Sequence, residues 1–274
     1  MTISVPDTLN VNNSEKYIMS IRLWPGGFSF SAYNPAEAQS FFFRDVEFDR
    51  SVPYINSLKE LFFSNDSLIW AYNRSRILCV SPQYTLVPNE YANEKRNVEL
   101  LRYNVHSPGR RCLTNKLEEE KAELVFAIDE DVYEFCSRTL TNPVYIHHLT
   151  SQIIMLKKQC RGENHKHLYA VVHHSLVDIC CFEGNDFLFA NSFAYEQPND
   201  LLYYILYVWK QIGLDQLYDY CSIYGDLSAT NRVIHALHTY IKHIDRIELP
   251  AKAYFLGGEI LYAPIDLILM SVCE

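Results

Sequence analysis

Two stretches of this chain, Tyr17 to Val80 and Leu168 to Tyr224, follow one order: three strands, a helix, then another strand. In the first, alternating apolar and polar positions predict strands over about Tyr17 to Leu23, Phe28 to Tyr33 and Gln39 to Phe48, with Pro25-Gly26-Gly27 and Asn34-Pro35 as turns. In the second they fall over about Leu168 to His173, Val177 to Phe182 and Phe187 to Ala194, with Glu183-Gly184-Asn185-Asp186 between the last two. A pattern written twice in the same order commits the chain to a repeated α/β architecture. Such an architecture predicts a cleft between halves without saying what fills it.

A chain of 274 residues accommodates two such halves, and 49% hydrophobic residues with 20 Tyr and 15 Phe supply a core for each. The balance of 24 Lys plus Arg against 33 Asp plus Glu, a net charge of -9, repels a phosphate backbone and argues against nucleic acid as a partner. Met1 to Asn13 lacks the basic start and apolar stretch of a secretion signal, and the residues up to 15 read as a flexible N-terminus. The longest apolar run, Leu201 to Trp209, stops at Lys210, short of the roughly 20 residues that cross a bilayer, so no membrane span is expected. The 8 cysteines show no Cys-x-x-Cys spacing. That predicts reduced, mostly buried thiols in a cytoplasmic protein and no disulfide framework.

Along the first half, Ser51 is placed to cap a helix that opens at Pro53 and runs to about Phe63; a short helical turn over Asp66 to Tyr72 and a strand over Arg76 to Val80 follow. The pattern weakens over 89–120, which reads as an insertion or small subdomain with exposed loops. A strand over Glu123 to Ile128, a helix capped by Asp129 and a strand over Val144 to His147 come next, then a helix from Ser151 to Cys160 capped by Thr150. The polar Arg161 to His167 marks the boundary, giving halves of 16–162 and 163–274. In the second half, Pro198 to Ile212 is apolar nearly all round and should be covered on both sides. A strand over Leu217 to Tyr224, a helix from Ser228 to about His243, a strand over Ile244 to Leu249 and an apolar tail from Ile265 to Val272 complete the chain.

Three segments, Tyr84-Thr85-Leu86-Val87-Pro88, Leu202-Tyr203-Tyr204 and Ile223-Tyr224-Gly225-Asp226, together with the element order, carry a resemblance. From about Tyr17 to Glu248 the chain resembles a bacterial domain family of unknown function with an actin-like ATPase fold. That family is distantly similar to pilus-assembly and cell-division scaffolds. The resemblance implies two ribonuclease H-like halves, each of three strands, helix, strand, helix, strand, helix, enclosing an inter-domain cleft. It further implies ATP with magnesium in that cleft, two turns gripping phosphates and a glycine turn facing adenosine.

By that resemblance each phosphate turn joins the first two strands and carries an Asp. Here the turns read Arg22-Leu23-Trp24-Pro25-Gly26-Gly27 and His173-His174-Ser175-Leu176-Val177-Asp178, with no acidic residue at the matching place. Without a carboxylate, magnesium coordination and water positioning lose their anchor. Gly225 matches an adenosine-side glycine, but Asp226 stands where a second glycine is customary. The candidate ligand-binding residues are therefore Gly26, Gly27, His174, Ser175, Asp178, Gly225 and Asp226, with no catalytic residue and no metal ligand assigned.

Each has a plainer reading. Gly26 and Gly27 suit a hairpin needing positive φ, and His173 and His174 suit one inward and one outward imidazole at a strand end. His235, His238 and His243 fall near helical spacing but lack a matched carboxylate or thiol for zinc. Cys180 and Cys181, adjacent on a strand, point to opposite faces and bury better than they react. Tyr203, Tyr204, Tyr207, Tyr218, Tyr220 and Tyr224 divide between core and a protein-binding surface. The expectation is a degenerate ATPase acting as a binding or assembly scaffold, with a protein partner or self-association and with nucleotide or anion retained in the cleft. The alternative is an active ATPase or phosphotransferase using Asp178 or Asp226 as its carboxylate.

Overall fold

The computed structural model describes residues 2–105, 110–160, 165–173, 175–225 and 227–272. The chain divides into two compact units, Met1–Thr150 with Pro250–Glu274, and Ser151–Leu249.

The first unit opens with β1 (Ile18–Trp24), β2 (Gly27–Tyr33) and β3 (Phe42–Glu47), followed by α1 (Tyr54–Phe63) and β4 (Arg74–Cys79). The segment expected to hold exposed loops instead forms a small antiparallel sheet, β5 (Tyr84–Pro88), β6 (Arg110–Leu117) and β7 (Ala122–Asp129) in the order β5-β7-β6, crossed by α2 (Glu94–Asn104). Its signal is faint because α2 is mostly polar and buries few positions, Leu101 packing with Val87 and Val125. Then come α3 (Glu130–Thr139), β8 (Val144–His147) and the start of α4 (His148–Lys158). The main sheet runs β3-β2-β1-β4-β8, its first three strands antiparallel and β1, β4 and β8 mutually parallel.

The second unit holds β9 (Lys166–Val172), β10 (Leu176–Glu183), β11 (Asp186–Ala194), α5 (Pro198–Ile212), β12 (Tyr220–Tyr224), α6 (Leu227–Leu237) and β13 (His243–Arg246). Its sheet runs β11-β10-β9-β12-β13, the same order as the main sheet of the first unit. Period-two alternation sends Leu168, Ala170 and Val172 of β9 to the face covered by Leu201, Ile205 and Val208 of α5 and Val233 and Leu237 of α6. A reciprocal capping box between Gln197 and Asp200 starts α5, and Gly213 in the left-handed region (φ 66) ends it.

Several expectations are corrected. α5 is covered on one side only, since Tyr203 and Tyr207 on its opposite face are exposed. Leu217 and Tyr218 are not strand: their amides donate to Asp215 Oδ1 in a side-chain-closed turn, so β12 begins at Tyr220. α6 stops at Leu237, which puts His243 on the next strand. Ser51 and Thr150 are not caps: α1 begins after Pro53, and Thr150 lies inside α4. Asp129 precedes α3 but makes no side-chain capping bond. The N-terminal segment makes contacts with the first unit, Leu9 being buried and the Ile3 amide donating to Asn65 Oδ1 at 2.5 Å.

The tail supplies a further correction, because Pro250–Glu274 belongs to the first unit and not to the second half. It contains α7 (Ala251–Leu256) and α8 (Ile265–Val272), every residue of α8 being buried. Leu267 and Met270 of α8 pack on Leu78, with Phe43 and Ile146 beside them. Two arginines from the same face of the sheet anchor it. Arg22 Nε donates to both Asp266 oxygens at 3.0 and 2.8 Å, and Arg76 donates to the Met270 carbonyl at 3.1 Å. An acid in the first turn and a cation at the last carbonyls complement the helix dipole at both ends.

Candidate functional site

In the first unit the parallel strands β1 and β4 end side by side, the edge at which open α/β sheets place ligands. The β1–β2 turn lies there. Neither Gly26 nor Gly27 has positive φ, so the hairpin does not need glycine for its backbone conformation. The Trp24 indole is the reason for them: a Cβ on Gly26 would land in its six-membered ring, and a Cβ on Gly27 would strike the Val46 carbonyl. The turn carbonyls are also engaged, Gly26 O by the Phe48 amide and Gly27 O by the Tyr54 hydroxyl, both at 2.9 Å. Burial pushes the Tyr54 phenol far above its ordinary value, so it stays a donor.

Beside the turn is a cavity of about 420 Å³, walled by Leu23 and Trp24 at the end of β1 and Pro25 after it, Val80 to Gln83 after β4, Ala127 to Asp129 at the end of β7, and Tyr54 and Val132 from α1 and α3. Sequence reasoning missed it. Its walls come from four distant segments, and the one signal on offer was the cluster of Pro82 and Pro88 around a strand that has no counterpart in the second unit.

In the second unit the matching turn joins β9 to β10. Asp178 is fully buried and accepts from His173 Nε2 at 2.6 Å, Gln152 Nε2 at 3.0 Å and Ser192 Oγ at 2.6 Å. The Tyr195 hydroxyl donates to the His173 carbonyl at 2.6 Å and fixes the turn from the other side. Ser175 is exposed at the tip. Gly225, at the end of β12, does need its glycine: φ is 145, and a Cβ would collide with Val172 at the end of β9. Ser175 and Gly225 thus sit at the carboxyl edge of β9 and β12, with Asp178 in the sheet beneath, whereas His174 and Asp226 lie outside the described residues.

The remaining candidates are structural. Cys180 and Cys181 are both buried in β10 and free. Burial, reinforced by Asp178, raises the Cys180 thiol well above its ordinary value, and burial pushes that of Cys181 to about 12, so neither is a nucleophile at neutral pH. His147 is held by the Ser81 carbonyl at 2.9 Å and packs against Tyr84 and Phe126, a core histidine. Among the described residues no helix is long and apolar enough to cross a membrane, and no disulfide joins the seven described cysteines.

Two sheets of order 3-2-1-4-5, each with its first three strands antiparallel and its first, fourth and fifth parallel, define an actin-like ATPase fold. A structure from Bacteroides thetaiotaomicron VPI-5482, a protein with actin-like ATPase fold and unknown function, matches with a TM-score of 0.83 and 30% identity over 97% of this chain and 99% of that one. The PilM-PilN type IV pilus biogenesis complex matches with a TM-score of 0.51 and 10% identity over 93% of this chain and 98% of that one, a likeness of fold alone. No curated protein sequence matches. Residues 6–244 match the family described as "Protein of unknown function (DUF3822)", and the chain belongs to that family.

Proposed function

We propose that this protein is a binding or assembly scaffold on the actin-like plan that does not hydrolyse ATP. The observation that carries the proposal is what occupies the first phosphate turn. Where the resemblance calls for a carboxylate the turn has Arg22, committed to Asp266, and the glycine pair lies under the Trp24 indole. Magnesium would find a cation there instead of a ligand, and a phosphate would have to displace a packed ring. The carboxylate of the alternative reading, Asp178, already accepts three hydrogen bonds in a fully buried position. The scaffold side of the proposal is supported by the exposed face of α5, where Tyr203 and Tyr207 stack with ring centroids 5.8 Å apart, as interface tyrosines do. Free, buried thiols suit a reducing compartment, and we place the protein in the cytoplasm.

The test is to follow melting temperature and phosphate release together as purified protein is titrated with ATP and magnesium. The proposal expects no protein-dependent release at any nucleotide concentration. A melting shift without release identifies a nucleotide-holding scaffold, because a ligand that binds only the folded state must stabilise it. Release that scales with protein concentration overturns the proposal.

A further inference from the structure

The cavity at the β1–β4 edge has walls suited to a different ligand from the one the fold suggests. Leu23, Trp24, Pro25, Val80, Ile128 and Val132 line it with apolar and ring surfaces. Of the wall's hydroxyls, Tyr54 donates to Gly27 O at 2.9 Å, and Ser81 Oγ accepts the Gln83 amide at 3.1 Å. Among the described wall residues no Lys, Arg or His is present, and the one carboxylate, Asp129, adds negative charge. A neighbouring cavity that shares Tyr54, Asp129 and Val132 with it continues along Glu130 and Asp131, so the approach is acidic too. Arg111 lies 4.0 Å from Glu130 of that approach.

An anion entering this space would lose much of its hydration with no Lys, Arg or His side chain of the wall to replace it, a loss of several kcal/mol. An uncharged ring would gain the burial of its surface against Trp24 and the two prolines, on the order of 25 cal/mol for each Å² removed from water. The volume of about 420 Å³ falls in the range that takes a drug-sized molecule. We infer that the β1–β4 edge cavity is a binding site for an uncharged, ring-bearing small molecule and excludes phosphate- and carboxylate-bearing ones. Trp24 is at once the residue that packs over the phosphate-turn glycines and the platform on which the ring lies. This assignment stands whether or not nucleotide binds elsewhere in the protein.

Matched probes test it on the full chain. 2-Naphthylmethanol, 2-naphthoate and ATP with magnesium would each be titrated up to the millimolar range, followed by amide chemical shifts of Val80, Ser81, Ala127 and Ile128. The alcohol is expected to shift these amides, with naphthoate at least about tenfold weaker and ATP leaving them in place. Gln83→Trp, at the half-exposed mouth, should weaken the alcohol by about tenfold or more with an unchanged melting temperature. Asp129→Asn keeps a residue suited to that helix start and should narrow the gap between alcohol and naphthoate. Absence of any shift with the alcohol, equal binding of alcohol and carboxylate, or binding of the alcohol that Gln83→Trp leaves intact would each overturn the assignment.

Discussion

Replacing Asp266 by Ala strips the partner from a buried guanidinium. The Arg22 side chain is 5% exposed and that of Asp266 fully buried, and Arg22 Nε reaches both carboxylate oxygens within 3.0 Å. Breaking such a pair on one side leaves an uncompensated charge and destabilises by about 3–5 kcal/mol. For a unit of this size that corresponds to a drop of about 2–4 °C in melting temperature per kcal/mol. The loss should also release α8, since the Asp266 carboxylate and the Arg76 contact to Met270 hold its two ends. Urea unfolding followed by far-UV circular dichroism reads the stability, and hydrogen exchange of the α8 amides reads the helix. The companion variant Arg22→Met with Asp266→Leu keeps volume and removes both charges, so it should come back to within about 1 kcal/mol of wild type or exceed it. If Asp266→Ala changed stability by less than about 1 kcal/mol, the value for an exposed pair, the reading of Arg22 as a desolvated, committed cation would be wrong.

Gly225→Ala forces a Cβ onto Val172 at φ 145 and should destabilise the second unit by at least about 1–3 kcal/mol in thermal melts, with a wild-type-like value refuting the close approach of β12 to β9. In native labelling with iodoacetamide at pH 8, Cys112 and Cys160 should react before Cys79, Cys136, Cys180, Cys181 and Cys221, which are buried; burial holds the Cys136 thiol near 12. Early labelling of Cys180 or Cys181, read by peptide mass mapping, would contradict their placement. Backbone amides of Gln197 and Glu196 depress the Asp200 carboxyl below its ordinary 3.8, so its support of α5 is complete above that value and is lost as pH falls through the depressed one. Protection of the first α5 amides against exchange should therefore weaken in acid, and Asp200→Asn should make it pH-independent.

Most of the framework was legible because it rests on local periodicity. Strand β8 and helix α5 follow their sequence patterns to the residue, and β1, β2, β10 and β11 to within one or two; the apolar run Ile265 to Val272, given no secondary structure by its pattern, is α8. What escaped depends on partners far away in sequence. Arg22 looks like a surface residue of an alternating strand until Asp266 arrives 244 positions later. Gly26 and Gly27 look like a phosphate turn or a strained hairpin until the Trp24 ring is seen to lie on them. Asp178 reads from the sequence as a spare carboxylate, but it accepts from donors on α4, the β9–β10 turn and β11. Helix α2 went unseen because a surface helix with few apolar positions leaves no stripe.

The central claim is that an actin-like framework here has phosphate turns built as packed structure. Phosphate release from γ-labelled ATP with magnesium, compared between wild type and Asp178→Asn, tests it most directly. Release at the rate of the protein-free blank is expected for both. Protein-dependent release by the wild type that Asp178→Asn abolishes would contradict it, and would make that buried carboxylate part of a working site.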